Sequence, residues 1–116
     1  IPIYIGRHTK PGLRRAAKYG DGWSSAMLPS KKLLDLIGQI EAFRKECGRD
    51  HLPMEYQAVV TDVWDADGYK RLEDAGVTDI ITVPWLMYGT PMVGGTLQGR
   101  IDGLNRFADT VIAKMQ

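Results

Sequence analysis

The strongest constraint on what this chain can fold into is a rhythm. A short run rich in β-branched or aromatic residues, a glycine or polar turn and an amphipathic stretch recur four times from end to end. Residues 1–5 are apolar and bounded by Gly6, which predicts a buried strand. Thr9 is placed to cap a helix with Pro11 in its first turn, and Leu13, Ala16 and Ala17 share one face before Gly20. Residues 21–25 predict a short second strand, and Ser30 an N-cap for a helix carrying Leu33, Leu36, Ile37, Ile40, Phe43 and Cys47 up to Gly48. Residues 54–60 read as a third strand, followed past Asp65 and Asp67 by a short helix through Leu72 and Ala75 to Gly76. Residues 79–83 are nearly all β-branched and predict a fourth strand, and 84–95 a Gly/Pro-rich loop. The last helix, from Leu97, shows Ile101, Leu104, Phe107, Val111, Ile112 and Met115 as one apolar stripe.

Alternation of this kind implies right-handed crossovers and a parallel sheet, an α/β fold. In such sheets ligands gather at the loops that leave the carboxyl ends of the strands. Here those loops are 6–10, 23–27, 61–64 and 84–95. At 116 residues, 44% hydrophobic and 25% charged, the chain suffices for one core, so 1–116 is expected to be a single unit. Lys and Arg number 15 against 14 acidic residues, a net charge of +1, so no bulk field draws in nucleic acid or a membrane surface. The single Cys47 excludes an internal disulfide and fits a reducing, cytoplasmic setting. No apolar run reaches the roughly 18 residues a membrane helix needs. The chain opens inside a strand without a methionine, and a preceding portion is expected.

Around the first turn, Gly6 lets the backbone bend while Arg7, His8, Thr9 and Lys10 surround the amino end of the next helix. Free amides and the helix dipole there favour an anion, and a phosphate is the natural guest. The plainer alternative is that Thr9 only caps the helix and the basic residues are solvated; the local pattern leaves both open. Trp23, Ser24, Ser25 and Met27 would stand at the mouth of the second strand, opposite Trp85, Met87 and Tyr88. Such side chains wall a flat heterocycle or an apolar substrate, or else anchor their own loops. Asp62, Asp65 and Asp67 fail the calcium-loop spacing, because Val63 stands where an oxygen ligand is needed and Asp74 where a bidentate glutamate is needed; helix capping accounts for them better. No nucleophile elbow, paired-histidine motif or P-loop lysine is present, so neither a metal site nor a catalytic residue is nominated.

The segments PIYIG with His8 and Thr9, LRRAAKYGDGW, a helix ending in CGRD, DAGVTDIITVPW and DGLNRFADTVI together resemble the carboxyl-terminal part of luciferase-like monooxygenases. More narrowly, they resemble the branch that uses the deazaflavin coenzyme F420. The resemblance implies strands five to eight of a TIM barrel, a (βα)4 half, where a whole barrel runs to about 250 residues. It also implies hydride transfer between F420, or alternatively FMN, and a small organic substrate, with the cofactor supplying the chemistry. In that family the turn after PIYIG binds the cofactor phosphate, usually through a second glycine followed by Ser or Thr. Gly6 matches the first glycine and Thr9 the hydroxyl, while Arg7 replaces the second glycine and His8 lies between. Gly22 and Trp23 match a position near the cofactor, and Trp85, Met87 and Tyr88 would flank the substrate. The remaining pocket residues of the family come from the first four strands, so no catalytic residue is carried over.

A non-catalytic half-barrel, a folding or assembly unit with residual phosphate affinity, is the rival expectation. Four parallel strands alone would leave the barrel-lining face open, with Ile, Val and Tyr side chains exposed at about 25 cal/mol per Å². The expected partner is therefore a second copy, closing an eight-stranded barrel as a homodimer, or the other half-barrel.

Overall fold

The computed structural model describes the whole chain, Ile1–Gln116. Two compact units make it up: Ile1–Asp62 with Leu72–Ile81, and Val63–Arg71 with Thr82–Gln116.

The first unit holds the sheet. Strands β1 (Tyr4–Ile5), β2 (Gly22–Leu28), β3 (Glu55–Val60) and β4 (Asp79–Ile80) lie in chain order, every pair parallel. Helices α1 (Lys10–Tyr19) and α2 (Ser30–Glu46) form the crossovers between the first three. Because the order never reverses, the sheet is singly wound and has no switch point of the doubly wound kind. The α/β class and the parallel strands expected from the rhythm are observed.

The Tyr56 hydroxyl on β3 donates to Glu41 on α2, which marks the helix-covered face of the sheet. Register places Ile5 and Trp23 abreast of Tyr56 on that face. Trp23, with Leu13 of α1 and Leu33 and Ile40 of α2, is fully buried there. Burying a Leu or Ile stabilises by about 1.5–3 kcal/mol, so these side chains carry much of the unit's stability.

The opposite face differs from expectation. Ser24, Gln57 and Asp79 stand abreast on it, as do Tyr4, Gly22 and Glu55. The Tyr4 ring lies over Gly22, where an added Cβ would meet it at 2.8 Å. Between Ser24 and Met27 the register slips by a β-bulge. Buried Ser25 accepts the Val59 N–H through its hydroxyl at 3.1 Å, and the Ala26 N–H leaves the ladder altogether. The extra residue turns Met27 to the same face as Val59, where it is 64% exposed. The open face thus carries the Tyr4 ring at its amino end, polar groups across its middle and Met27, Val59 and Ile81 at its carboxyl end, so the apolar lining expected of four isolated strands is only partly present.

Several boundaries also move. The outer strands shrink to two residues each, and β4 ends early because Val83 leads into a 3₁₀ turn at Pro84–Tyr88. Pro29, not Ser30, is the N-cap of α2.

The second unit contains that 3₁₀ turn, the first part of α3 (Ala66–Asp74) and α4 (Leu97–Phe107), which runs through a π turn (Ala108–Ile112) into α5 (Ala113–Met115). Thr96 caps α4 by accepting the Gly99 N–H at 3.0 Å, and Asp65 accepts the Gly68 N–H at 2.7 Å at the start of α3. The π turn has a local cause: the Thr110 hydroxyl donates to the Arg106 carbonyl at 2.7 Å and competes with the helical ladder. The single apolar stripe expected for this helix splits in two. Gly103, Phe107 and Val111 are buried, whereas Leu97, Ile101, Leu104 and Ile112 remain exposed. Close approach decides which side packs, since a Cβ on Gly103 would lie 2.6 Å from the Trp85 Cα.

Candidate functional site at the carboxyl edge of the sheet

The turn from β1 to α1 is built on an unusual residue. Arg7 has φ 91°, the one non-glycine residue with positive φ, whereas Gly6 beside it does not need that freedom. The left-handed position therefore coincides with the place where the resemblance has its second glycine. The surrounding structure holds Arg7 there. Its carbonyl accepts the Trp23 indole N–H at 2.9 Å, and the His8 and Trp23 rings lie 5.7 Å apart. His8 Nε2 accepts the Ala26 N–H freed by the bulge, at 3.0 Å, so the ring proton sits on Nδ1. Gly12 completes the support: a Cβ at that buried position would stand 2.5 Å from the Arg7 Cβ.

Above this support the exposed groups are Arg7, Thr9 and Lys10. Thr9 has N-cap geometry at φ −78° and ψ 152°, but its side chain bonds no amide of the helix, so the expected capping bond is absent and the hydroxyl is free. No acidic residue lies in the first turn of α1, and Pro11 removes one amide there. The helix-start amides that remain have no partner within the helix. Of the other residues expected near a cofactor, Gly22 is buried under Tyr4 and Trp23 is fully buried. Trp23 reaches the turn through its N–H and presents no face to solvent.

The helix capping expected of Asp62 is present at this edge, but on a helix from another loop: just past β3, Asp62 accepts the Ser30 N–H at 2.8 Å and the Ser30 hydroxyl at 3.0 Å at the start of α2. Only the presence of an acid after a strand and a serine after Pro29 hinted at that pairing.

The amino edge of the sheet is occupied differently. Arg44, 4% exposed, pairs with Glu41 at 2.8 Å and donates to the carbonyls of Arg49 and Leu52. Arg49 donates to the Gly20 carbonyl at 3.2 Å, and Asp21 accepts the Ile3 N–H at 2.8 Å. Burial, helped by the Glu41 hydrogen bond, pushes the Tyr56 hydroxyl well above its ordinary value.

Trp85, Met87 and Tyr88 belong to the second unit, in its 3₁₀ turn, and each is partly buried. The Tyr88 hydroxyl lies 3.0 Å from that of Thr110, and the Arg106 guanidinium stacks 4.4 Å above the Tyr88 ring. Arg100 stands over Trp85 at 5.9 Å. Two donors of this pair, the Trp85 indole N–H and the Arg100 Nε–H, are buried without an acceptor. Burial likewise pushes the Tyr69 hydroxyl up from its ordinary value.

No family model matches the chain, and no solved structure does. Uncharacterized proteins of Mycobacterium bovis and of two strains of Mycobacterium tuberculosis are each 39% identical to it over 115 residues. The match takes in 99% of this chain but 39% of each relative's length. The chain thus spans about two fifths of the curated relatives it matches. No helix is long and apolar enough to cross a membrane.

Proposed function

We propose that this chain is the carboxyl-terminal half-barrel of a luciferase-like oxidoreductase that uses coenzyme F420, or FMN, in the cytoplasm. The observation that carries the reading is a singly wound parallel sheet whose first carboxyl-edge turn exposes Arg7, Thr9 and Lys10 at the start of α1.

The residues present fit the phosphate-bearing tail of such a cofactor. The Thr9 hydroxyl is uncommitted, the helix-start amides are open, and no carboxylate of the first turn opposes an anion. Arg7 and Lys10 add charge-assisted donors, each worth about 1.5–3 kcal/mol to a phosphate. Trp23 and His8 act beneath them, pinning the Arg7 carbonyl and the bulge so that the donors are held in place before an anion arrives. The bound deazaflavin or flavin supplies the hydride chemistry. In the second unit, Trp85, Met87 and Tyr88 share one 3₁₀ turn and are the residues proposed for the substrate side.

Fluorescence titration with F420 and with FMN tests the reading. Saturable binding is expected, weakened about tenfold or more by Arg7→Ala, since 1.4 kcal/mol is a factor of ten. Binding of neither cofactor below millimolar concentration would sink it. A non-catalytic assembly unit is the second reading, favoured by the exposed Leu97, Ile101 and Leu104 on α4. It predicts association through that helix without cofactor binding.

A further inference from the structure

We infer that the uncovered face of the first unit's sheet docks a different sheet segment, one bearing Lys or Arg, and does not pair with a second copy of this chain. The inference rests on the half-barrel reading, and deepens it by naming the partner's chemistry.

Register settles what the face presents. Glu55 lies beside Gly22 and Tyr4, and Asp79 beside Gln57 and Ser24. Both carboxylates are exposed. No Lys, Arg or His occurs anywhere in β1, β2, β3 or β4, so nothing on the face neutralises them. The one bond recorded to either carboxylate comes from the neutral Thr78 hydroxyl, which donates to Asp79 at 2.8 Å. Beyond this polar middle the bulge sets Met27, 64% exposed, with Val59 and with Ile81, 49% exposed, as an apolar margin at the carboxyl end.

A face of this kind can be covered, but its occupant is restricted. Two copies closing a barrel would bring four carboxylates inside with no cation, and buried like charges repel strongly where water is excluded. A segment that places a basic side chain against Glu55 and Asp79, and apolar ones against Met27 and Ile81, satisfies the same face. Opposed charge at an interface selects such a partner and rejects the self-pairing. The relatives offer a source for it: the chain matches 39% of their length, and the rest lies outside the matched stretch. The homodimer expected from sequence is thereby set aside in favour of the other half-barrel.

A charge-reversed copy of this chain tests the rule directly. The probe is the double variant Glu55→Lys/Asp79→Lys, mixed with the wild-type chain at neutral pH and followed by analytical ultracentrifugation. Each chain alone is expected to stay monomeric at micromolar concentration, while the mixture forms a 1:1 complex that weakens at least tenfold between low and high salt. Glu55→Gln/Asp79→Asn is expected to self-associate more tightly than wild type, because it removes the repulsion. Circular dichroism checks folding, and Glu55→Lys alone serves if the double variant does not fold. A wild-type homodimer as tight as the mixed complex overturns the inference, as does a mixture that never associates. Cofactor titration is read separately, so loss of cofactor binding with pairing intact would remove the proposed function and leave this inference standing.

Discussion

Replacing Arg7 by glycine is the most informative single change. Arg7 sits at φ 91°, where the Cβ of an L-residue crowds the neighbouring carbonyl at a cost of about 1–2 kcal/mol. Glycine removes that cost but loses about 0.5–1 kcal/mol more backbone freedom on folding. The Arg7 side chain is exposed, so little buried area is forfeited. The net expectation is a gain of about 0.5–1 kcal/mol, seen as a melting temperature higher by roughly 2–5 °C for a chain of this size. Arg7→Ala is the control, because alanine loses the charge yet keeps the Cβ at the same φ; its stability should stay within about 0.5 kcal/mol of wild type. Thermal unfolding followed by circular dichroism separates the two. Equal gains from Gly and Ala would show that charge, not backbone strain, sets the stability of the turn, and a loss from Gly would refute the strain altogether. Affinity for a phosphate-bearing cofactor should move the other way. The backbone already follows a glycine-like path, so Arg7→Gly leaves the course of the turn as it is while removing a cation.

Gly12→Ala should destabilise by about 1–3 kcal/mol despite alanine's better helix propensity, since its Cβ would meet the Arg7 Cβ at 2.5 Å. The loss should be smaller in an Arg7→Gly background with its contacting atom gone, and a double-mutant cycle on urea midpoints measures the coupling. Asp62→Ala should cost about 0.5–2 kcal/mol by leaving the Ser30 N–H uncapped, whereas Asp62→Asn, which keeps one acceptor, should lose less. Tyr56 governs part of the alkaline limb: burial keeps it protonated in the folded chain, while in the unfolded chain it ionises near its ordinary value of about 10. The unfolded state then binds fewer protons, so stability falls as pH rises from about 10, and Tyr56→Phe should flatten that fall in denaturant midpoints measured across it.

What the sequence discloses, and what it withholds, follows from the range of the forces involved. Strand and helix order is local, carried by β-branched runs and helical spacing, and it survives into the structure with shifted ends. The left-handed φ of Arg7 is not local: propensity points to Gly6, and only the Trp23 indole and Gly12 hold the neighbour in that conformation. The β2 bulge depends on Ser25 answering a β3 amide, and the cap of α2 on an aspartate 32 residues away. Periodicity shows that α4 has apolar positions but not which of them find a neighbour. Gly103 is what admits Trp85, and that is a property of the pair.

The placement of the arginines separates the two edges of the sheet by task. At the amino edge, Arg44 and Arg49 are bound to backbone carbonyls and to Glu41, so their charge is committed to holding the loop between α2 and β3. Arg44–Glu41 is the sole ion pair of the chain. At the carboxyl edge Arg7 and Lys10 have neither an acidic partner nor a carbonyl, while Asp62, the acid past β3, is already engaged by Ser30. A net charge of +1 hides this asymmetry, because it arises from which groups are already paired. An anion that meets this unit therefore finds uncommitted cations at the carboxyl edge, where open amides at the helix start add to their pull. Arg44→Ala should accordingly weaken the fold by unpairing Glu41 and two carbonyls, whereas Arg7→Ala should weaken anion binding and leave the fold nearly unchanged. If Arg7→Ala instead unfolds the chain with anion affinity untouched, the division of labour between the edges is wrong.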